Sequence, residues 1–164
     1  MSPPLIVFNS IRKMPPPKLI APKSAEILLV EDNPGDIRLI QEAFKEGGFS
    51  SHLNITRDGE QALAFLHREG VYSKSPRPAF IILDLNLPRK DGREVLAEIK
   101  REKTLRQIPV VILSTSTSSE DILNAYDLHA NCYVTKPLDL DSLVQLGKSL
   151  EGFWLTTAIL PTGA

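Results

Sequence analysis

Ile27-Leu28-Leu29-Val30-Glu31-Asp32-Asn33-Pro34 is the stretch that decides the fold. Four apolar residues in a row, without polar alternation, describe a strand covered on both faces, as in parallel sheets. The run ends abruptly in two acids, an asparagine and a proline. Pro34 suits a first helical turn, where its missing N–H costs no hydrogen bond. Ile37, Ile40, Ala43 and Phe44 then recur at helical spacing until Gly47-Gly48 stops the helix. A buried strand that turns straight into an amphipathic helix is one βα unit.

The unit repeats outward along the chain. Leu53 and Ile55 mark a weaker second strand, and Ala62, Leu63 and Leu66 mark a helix after Asp58-Gly59. Phe80-Ile81-Ile82-Leu83 reads as the third strand, with Val95, Leu96 and Ile99 on its helix and a polar, proline-containing loop over Gly70 to Pro78 before it. Val110 to Leu113 is the fourth strand, and Ile122, Ala125 and Tyr126 lie on a helix capped by Ser118 or Ser119. Cys132 to Thr135 is the last strand, and Leu140, Leu143, Leu150 and Trp154 ride the final helix. Parallel strands need helical crossovers, and these are right-handed, so five such pairs predict a doubly wound α/β domain with helices on both faces.

Composition bounds what such a domain does. A chain of 164 residues fits one domain. No apolar run approaches the length of a membrane span, and Leu5 to Phe8 is too short for a signal-peptide core. One cysteine, Cys132, excludes an intramolecular disulfide, and the expected compartment is the cytoplasm. The net charge of −1 hides an asymmetry: residues 1–24 hold four of the 19 bases and no acid, leaving 15 bases against 20 acids beyond them. An acidic body lacks the basic field that nucleic acid requires, so neither nucleic acid nor membrane is an expected partner. Six of the 13 prolines also lie in residues 1–24, which are expected to form a flexible arm, with Met14 as an alternative start.

In doubly wound sheets, ligands bind beyond the carboxyl ends of the strands. Those ends carry Glu31 and Asp32, Asp84, Ser114 and Lys136. Carboxylates converging there would repel by roughly 3 kcal/mol per pair at ~5 Å and an effective dielectric near 20. A hard divalent cation relieves this, and Mg²⁺ suits a site with few carboxylates and phosphate co-ligands. A carboxylate nucleophile beside a cation, a lysine and a hydroxyl is equipped to accept a phosphoryl group.

These residues carry a family resemblance. Leu29 to Pro34, Asp84 to Gly92, Ile112 to Thr115 and Tyr133 to Pro137 together resemble the receiver domain of two-component response regulators, over about residues 25–154. The resemblance implies a five-stranded, flavodoxin-like sheet in the order 2-1-3-4-5. It implies Asp84 as phosphoacceptor, with Glu31, Asp32, Asp84 and the backbone carbonyl of Asn86 around Mg²⁺. Ser114 and Lys136 would contact the phosphoryl group, and Ser114, Thr115 and Tyr133 would form the switch. It also implies that Lys136-Pro137 is cis, a geometry that proline makes accessible. The donor would be a sensor histidine kinase and the recipient of the signal an unidentified downstream protein. No separate substrate turnover is expected.

Glu151 to Pro161 further resembles the tail of response regulators that pair with phytochrome-type kinases, as does the loop at 70–78. Residues 155–164 form an apolar tail, and Phe153, Trp154 and Leu155 are candidate homodimer contacts, folding of the tail across its own domain being the alternative. A phosphate sink without output remains open. A haloacid-dehalogenase-type phosphatase would need Asp-x-Asp where this chain has Asp84-Leu85-Asn86, and in a flavodoxin-like carrier Glu31-Asp32 would repel the cofactor phosphate. Asp91 reads as a turn residue with Gly92, Cys132 as core, and His52, His67 and His129 as ordinary half-buried or surface residues.

Overall fold

The computed structural model describes residues 24–161; nearly all of the arm expected at 1–24, and the last three residues, lie outside them. Strands β1 (Glu26–Val30), β2 (His52–Thr56), β3 (Phe80–Leu83), β4 (Val110–Ser114) and β5 (Cys132–Thr135) form one parallel sheet in the order β2-β1-β3-β4-β5. Helices α1 (Pro34–Gly47), α2 (Gly59–His67), α3 (Gly92–Arg101), α4 (Ser119–Asp127) and α5 (Leu140–Glu151) alternate with them.

The strand periodicity of two divides the core. Leu28, Val30, Ile81, Leu83, Val110 and Ile112 face α2, α3 and α4, packing on Ala62, Phe65, Val95, Leu96, Ile99 and Ala125. Ile27, Leu29, Phe80, Ile82, Val111 and Leu113 face α1 and α5, packing on Ile40, Ala43, Leu143 and Leu150. Every residue of β3 and β4 is buried, whereas the edge strands β2 and β5 are mostly half-buried. That difference explains why β2 is faint in sequence: an edge strand has fewer apolar neighbours to match.

Local chemistry sets the helix ends nearest the strand tips. The Asn33 side chain accepts from the amides of Gly35 and Asp36 and so caps α1, while Gly48 closes it in the left-handed region at φ 65°. Asp58 caps α2 by accepting from the Gln61 amide. Asp91, expected as a turn residue, caps α3 in a reciprocal arrangement with Glu94. Its backbone is extended rather than turned, because the four residues after it already follow helical geometry. Ser118 stands at the cap position of α4 but makes no side-chain cap bond. The loop after α2 is partly ordered: Gly70–Tyr72 forms one 3₁₀ turn, and Tyr72 packs edge-on against Phe65. After α5 the chain continues as a π-helical segment, Gly152–Thr157, so the helical path runs past residue 154.

Candidate functional site

Backbone hydrogen bonds extend the ladders past the strand tips and thereby place the site. The Glu31 amide donates to Thr56 O at 3.0 Å, the Asp84 amide to Val30 O at 3.0 Å, and the Lys136 amide to Ser114 O at 2.8 Å. Glu31, Asp84, Ser114 and Lys136 are thus held by sheet geometry at one edge, and all four are buried. Asp32 and Asn86 are exposed at its rim.

The side chains then close on one another. Lys136 Nζ donates to Glu31 Oε2 at 2.7 Å, Asp84 Oδ2 at 2.9 Å and Asp36 Oδ2 at 2.9 Å. Oxygens of Glu31, Asp32 and Asp84 all lie within 4.8 Å of one another. The other oxygen of Glu31 accepts the Asn33 amide, and the other oxygen of Asp84 accepts the Asn86 amide at 3.1 Å. Lysine and the two amides therefore stabilise carboxylates that burial would otherwise penalise. Burial still pushes the Glu31 carboxyl above its ordinary value, with Asp84 adding to the rise and Lys136 and the Asn33 amide opposing it. Burial also acts to lower Lys136, but its three carboxylate partners outweigh that and hold the ammonium above its ordinary value.

The loop from Asp84 to Gly92 is shaped by a close approach. A Cβ on Gly92 would fall 2.2 Å from Asp84 O, so only glycine lets α3 begin against the base of Asp84. The Gly92 amide donates to Leu85 O at 2.8 Å and fastens the loop.

Of the expected switch residues, Ser114 shares the sheet edge with the carboxylates, while Thr115 and Tyr133 join it through the β4–α4 loop rather than through the Lys136 cluster. Thr115 is exposed, and Tyr133 is half-buried with its hydroxyl donating to Ser116 O at 2.9 Å. The Ser114 hydroxyl accepts the Ser116 amide at 3.2 Å. Among the described residues no peptide bond is cis, so Lys136-Pro137 is trans, contrary to the expectation. The three carboxylates hold the ammonium at the edge from that trans backbone. Asp36 is the participant that sequence reasoning missed. It sits in the first turn of α1, which follows β1 directly and therefore points at the same sheet edge, a position that would have flagged it.

The response regulator receiver domain model matches residues 27–148. The chain belongs to that family. Response regulator Rcp1 of Synechocystis sp. is 51% identical over 146 residues, covering 89% of this chain and 95% of the relative. A crystal structure of the phosphorylated cyanobacterial phytochrome response regulator RcpA shares 55% identity with a TM-score of 0.79, over 85% of this receiver and 99% of that chain. The Mn²⁺-bound form of Rcp1 shares 51% identity with a TM-score of 0.76, over 84% and 99%. The receiver is thus similar to phytochrome-associated single-domain regulators.

An oxygen-only donor set of three carboxylates fits a hard divalent cation, and the buried Lys136 marks the charge such an ion would share in neutralising. No helix among the described residues is long and apolar enough to cross a membrane. Within the tail, Trp154 and Leu155 are half-buried against the α1/α5 side of the core, while Phe153 is 52% exposed and Ile159 fully exposed.

Proposed function

We propose that this receiver accepts a phosphoryl group on Asp84 from a sensor histidine kinase of phytochrome type and passes the signal on in the cytoplasm through protein contacts. The observation that carries this reading is the convergence of Glu31, Asp32 and Asp84 oxygens within 4.8 Å beside the Lys136 ammonium. Mg²⁺ held by Glu31, Asp32, Asp84 and the Asn86 carbonyl would neutralise charge on the transferring group. An Asp84 carboxylate oxygen attacks phosphorus. The phosphorus–oxygen bond forms as the phosphorus–nitrogen bond of the kinase phosphohistidine breaks, and the departing imidazole keeps the electron pair and takes up a proton. Lys136, already on Asp84 Oδ2, is positioned to pair with the new phosphoryl oxygens, and Ser114 to donate its hydroxyl to them. The added charge of about −1.5 to −2 shifts a two-state equilibrium toward the arrangement that best pairs it, with Tyr133 repacking as Ser114 moves. The tail supports a homodimer: Phe153 and Ile159 stay exposed, while Trp154 and Leu155 serve their own domain as well.

Phosphotransfer from a phytochrome-type kinase, with Asp84→Asn as control, tests this reading. Label should pass to the wild type within seconds to minutes and not to the variant. Transfer to neither protein from any such kinase, under conditions in which the kinase labels its own regulator, would remove the phytochrome pairing.

A further inference from the structure

The β4–α4 loop is moored by side-chain hydrogen bonds that reach two other elements. Ser116 has every polar atom engaged. Its amide donates to Ser114 Oγ at 3.2 Å, its carbonyl accepts the Tyr133 hydroxyl at 2.9 Å, and its hydroxyl donates to Asp121 Oδ2 at 2.7 Å while accepting the Ser118 amide at 3.2 Å. Asp121, in the first turn of α4, gives its other oxygen to Arg93 Nη2 at 2.6 Å. Arg93 belongs to α3 and is itself held by Asp91, the cap of that helix, at 3.2 Å. A continuous polar chain therefore runs from the buried Ser114 through Ser116 and Asp121 to Arg93 at the base of the Asp84 loop. The ion pair is about one-third exposed on the Arg93 side and one-quarter on the Asp121 side, so solvent screens it only in part.

We propose that Arg93, Asp121 and Ser116 are positioning residues that latch the β4–α4 loop in its unmodified arrangement and so set how readily Asp84 becomes phosphorylated. This rests on the reading of Asp84 as phosphoacceptor. To donate to a phosphoryl oxygen, Ser114 must move toward Asp84 and draw the Ser116 amide with it. Ser116 follows only by stretching its bond to Asp121, which Arg93 anchors to a different helix. Ties present in one state and lost in the other bias the equilibrium toward the first. A charge-assisted hydrogen bond and its ion pair together favour the unmodified state severalfold. Asp121 is held below the ordinary aspartate value by the Ser116 hydroxyl and Arg93, so the latch stays charged at neutral pH.

The test is the initial rate of Asp84 phosphorylation by a small acyl phosphate with Mg²⁺, using the full chain. Arg93→Ala and Asp121→Ala should each react about three- to tenfold faster than wild type, and the double variant no faster than the quicker single, because both break one tie. Ser116→Ala should also accelerate, whereas Ser116→Thr, which keeps the hydroxyl, should return to the wild-type rate. Raising ionic strength should narrow the gap between Asp121→Ala and wild type. Since all three side chains are partly exposed, thermal melts should show the variants folded; if Asp121→Ala does not fold, Asp121→Asn replaces it, with a smaller acceleration. Rates equal to or below wild type in the folded variants, or additive acceleration in the double, would overturn the latch. A wild type that takes no label at all would instead overturn the phosphoacceptor reading on which it rests.

Discussion

The carboxyl edge of the sheet and the end of the chain treat their awkward groups in opposite ways. At the edge, Glu31, Asp36 and Asp84 from three segments are satisfied by a single buried ammonium, Lys136, within 2.9 Å. At the end, Phe153 and Trp154 stack edge-on at 4.9 Å, yet Phe153 remains half exposed and Ile159 wholly so. The first region is tightly paired yet keeps more carboxylates than its one ammonium neutralises. The second leaves apolar side chains uncovered among the described residues. A closed electrostatic cluster is broken by removing any one member, while an open apolar patch loses only what its partner supplies.

Removing Lys136 is the hardest blow to the edge. Lys136→Met leaves Glu31 and Asp84 buried without a counter-charge, one backbone amide each remaining, and should destabilise the metal-free protein by about 3–5 kcal/mol. Denaturant melts should show millimolar Mg²⁺ recovering a large part of that loss, because an ion bound only to the folded state stabilises by mass action. The Asp32→Asn, Asp84→Asn double variant should lose the Mg²⁺-dependent rise in melting temperature that the wild type shows. The pH dependence follows the same cluster. Lys136 holds its proton more tightly folded than unfolded, so its contribution is fully present below the ordinary value of 10.5 and disappears as pH rises above it. Metal-free stability should therefore fall through that alkaline range, and fall less in Lys136→Met.

The tail should separate into two kinds of residue. Trp154→Ala removes packing from the α1/α5 side of the core and should cost about 2 kcal/mol in a melt. Phe153→Ser touches a mostly exposed ring and should change stability by no more than about 0.5 kcal/mol, while weakening self-association about tenfold in sedimentation. A monomer for residues 25–164 at tens of micromolar, with and without an acyl phosphate, would erase the difference and leave the tail as packing alone. A smaller loss of stability than at Lys136 or Trp154 belongs to the rim of the edge. Asn33→Ala removes the α1 cap and should cost about 1 kcal/mol without altering the Lys136 cluster.

What was legible in the sequence follows from how each group is buried. β1, β3 and β4 announce themselves because a strand covered on both faces must be apolar throughout, and their tips then identify Glu31, Asp84 and Ser114. Lys136 does not follow from that rule, because β5 is a half-buried edge strand of mixed character; it is marked by the Tyr133 to Pro137 stretch that resembles the family. Asp36 was legible by position, in the first helical turn after β1, but sequence reasoning missed it; Arg93 and Asp121 were not legible, since a charged residue in a helical turn looks like any solvated helix charge until the fold sets another element beside it. Asp91 illustrates a local ambiguity: Asp-Gly serves equally as a turn and as a cap followed by a close-packed glycine, and the reciprocal bonds between Asp91 and Glu94, with no room for a Cβ on Gly92 against Asp84 O, separate the two. The division of the tail into half-buried Trp154 and exposed Phe153 depends on the π-helical turn after α5, which apolar composition does not encode.

Asp84 in its acidic edge, read as a cation-dependent phosphoryl acceptor, is open to one decisive measurement. Mass-spectrometric peptide mapping after incubation with an acyl phosphate tests it most directly, with Mg²⁺ or with chelator and with Asp84→Asn alongside. One phosphoryl group per chain is expected on the peptide containing Asp84, present with Mg²⁺ and lost with chelator or in the variant. Stoichiometric label on another residue, or on Asp84→Asn, would contradict it.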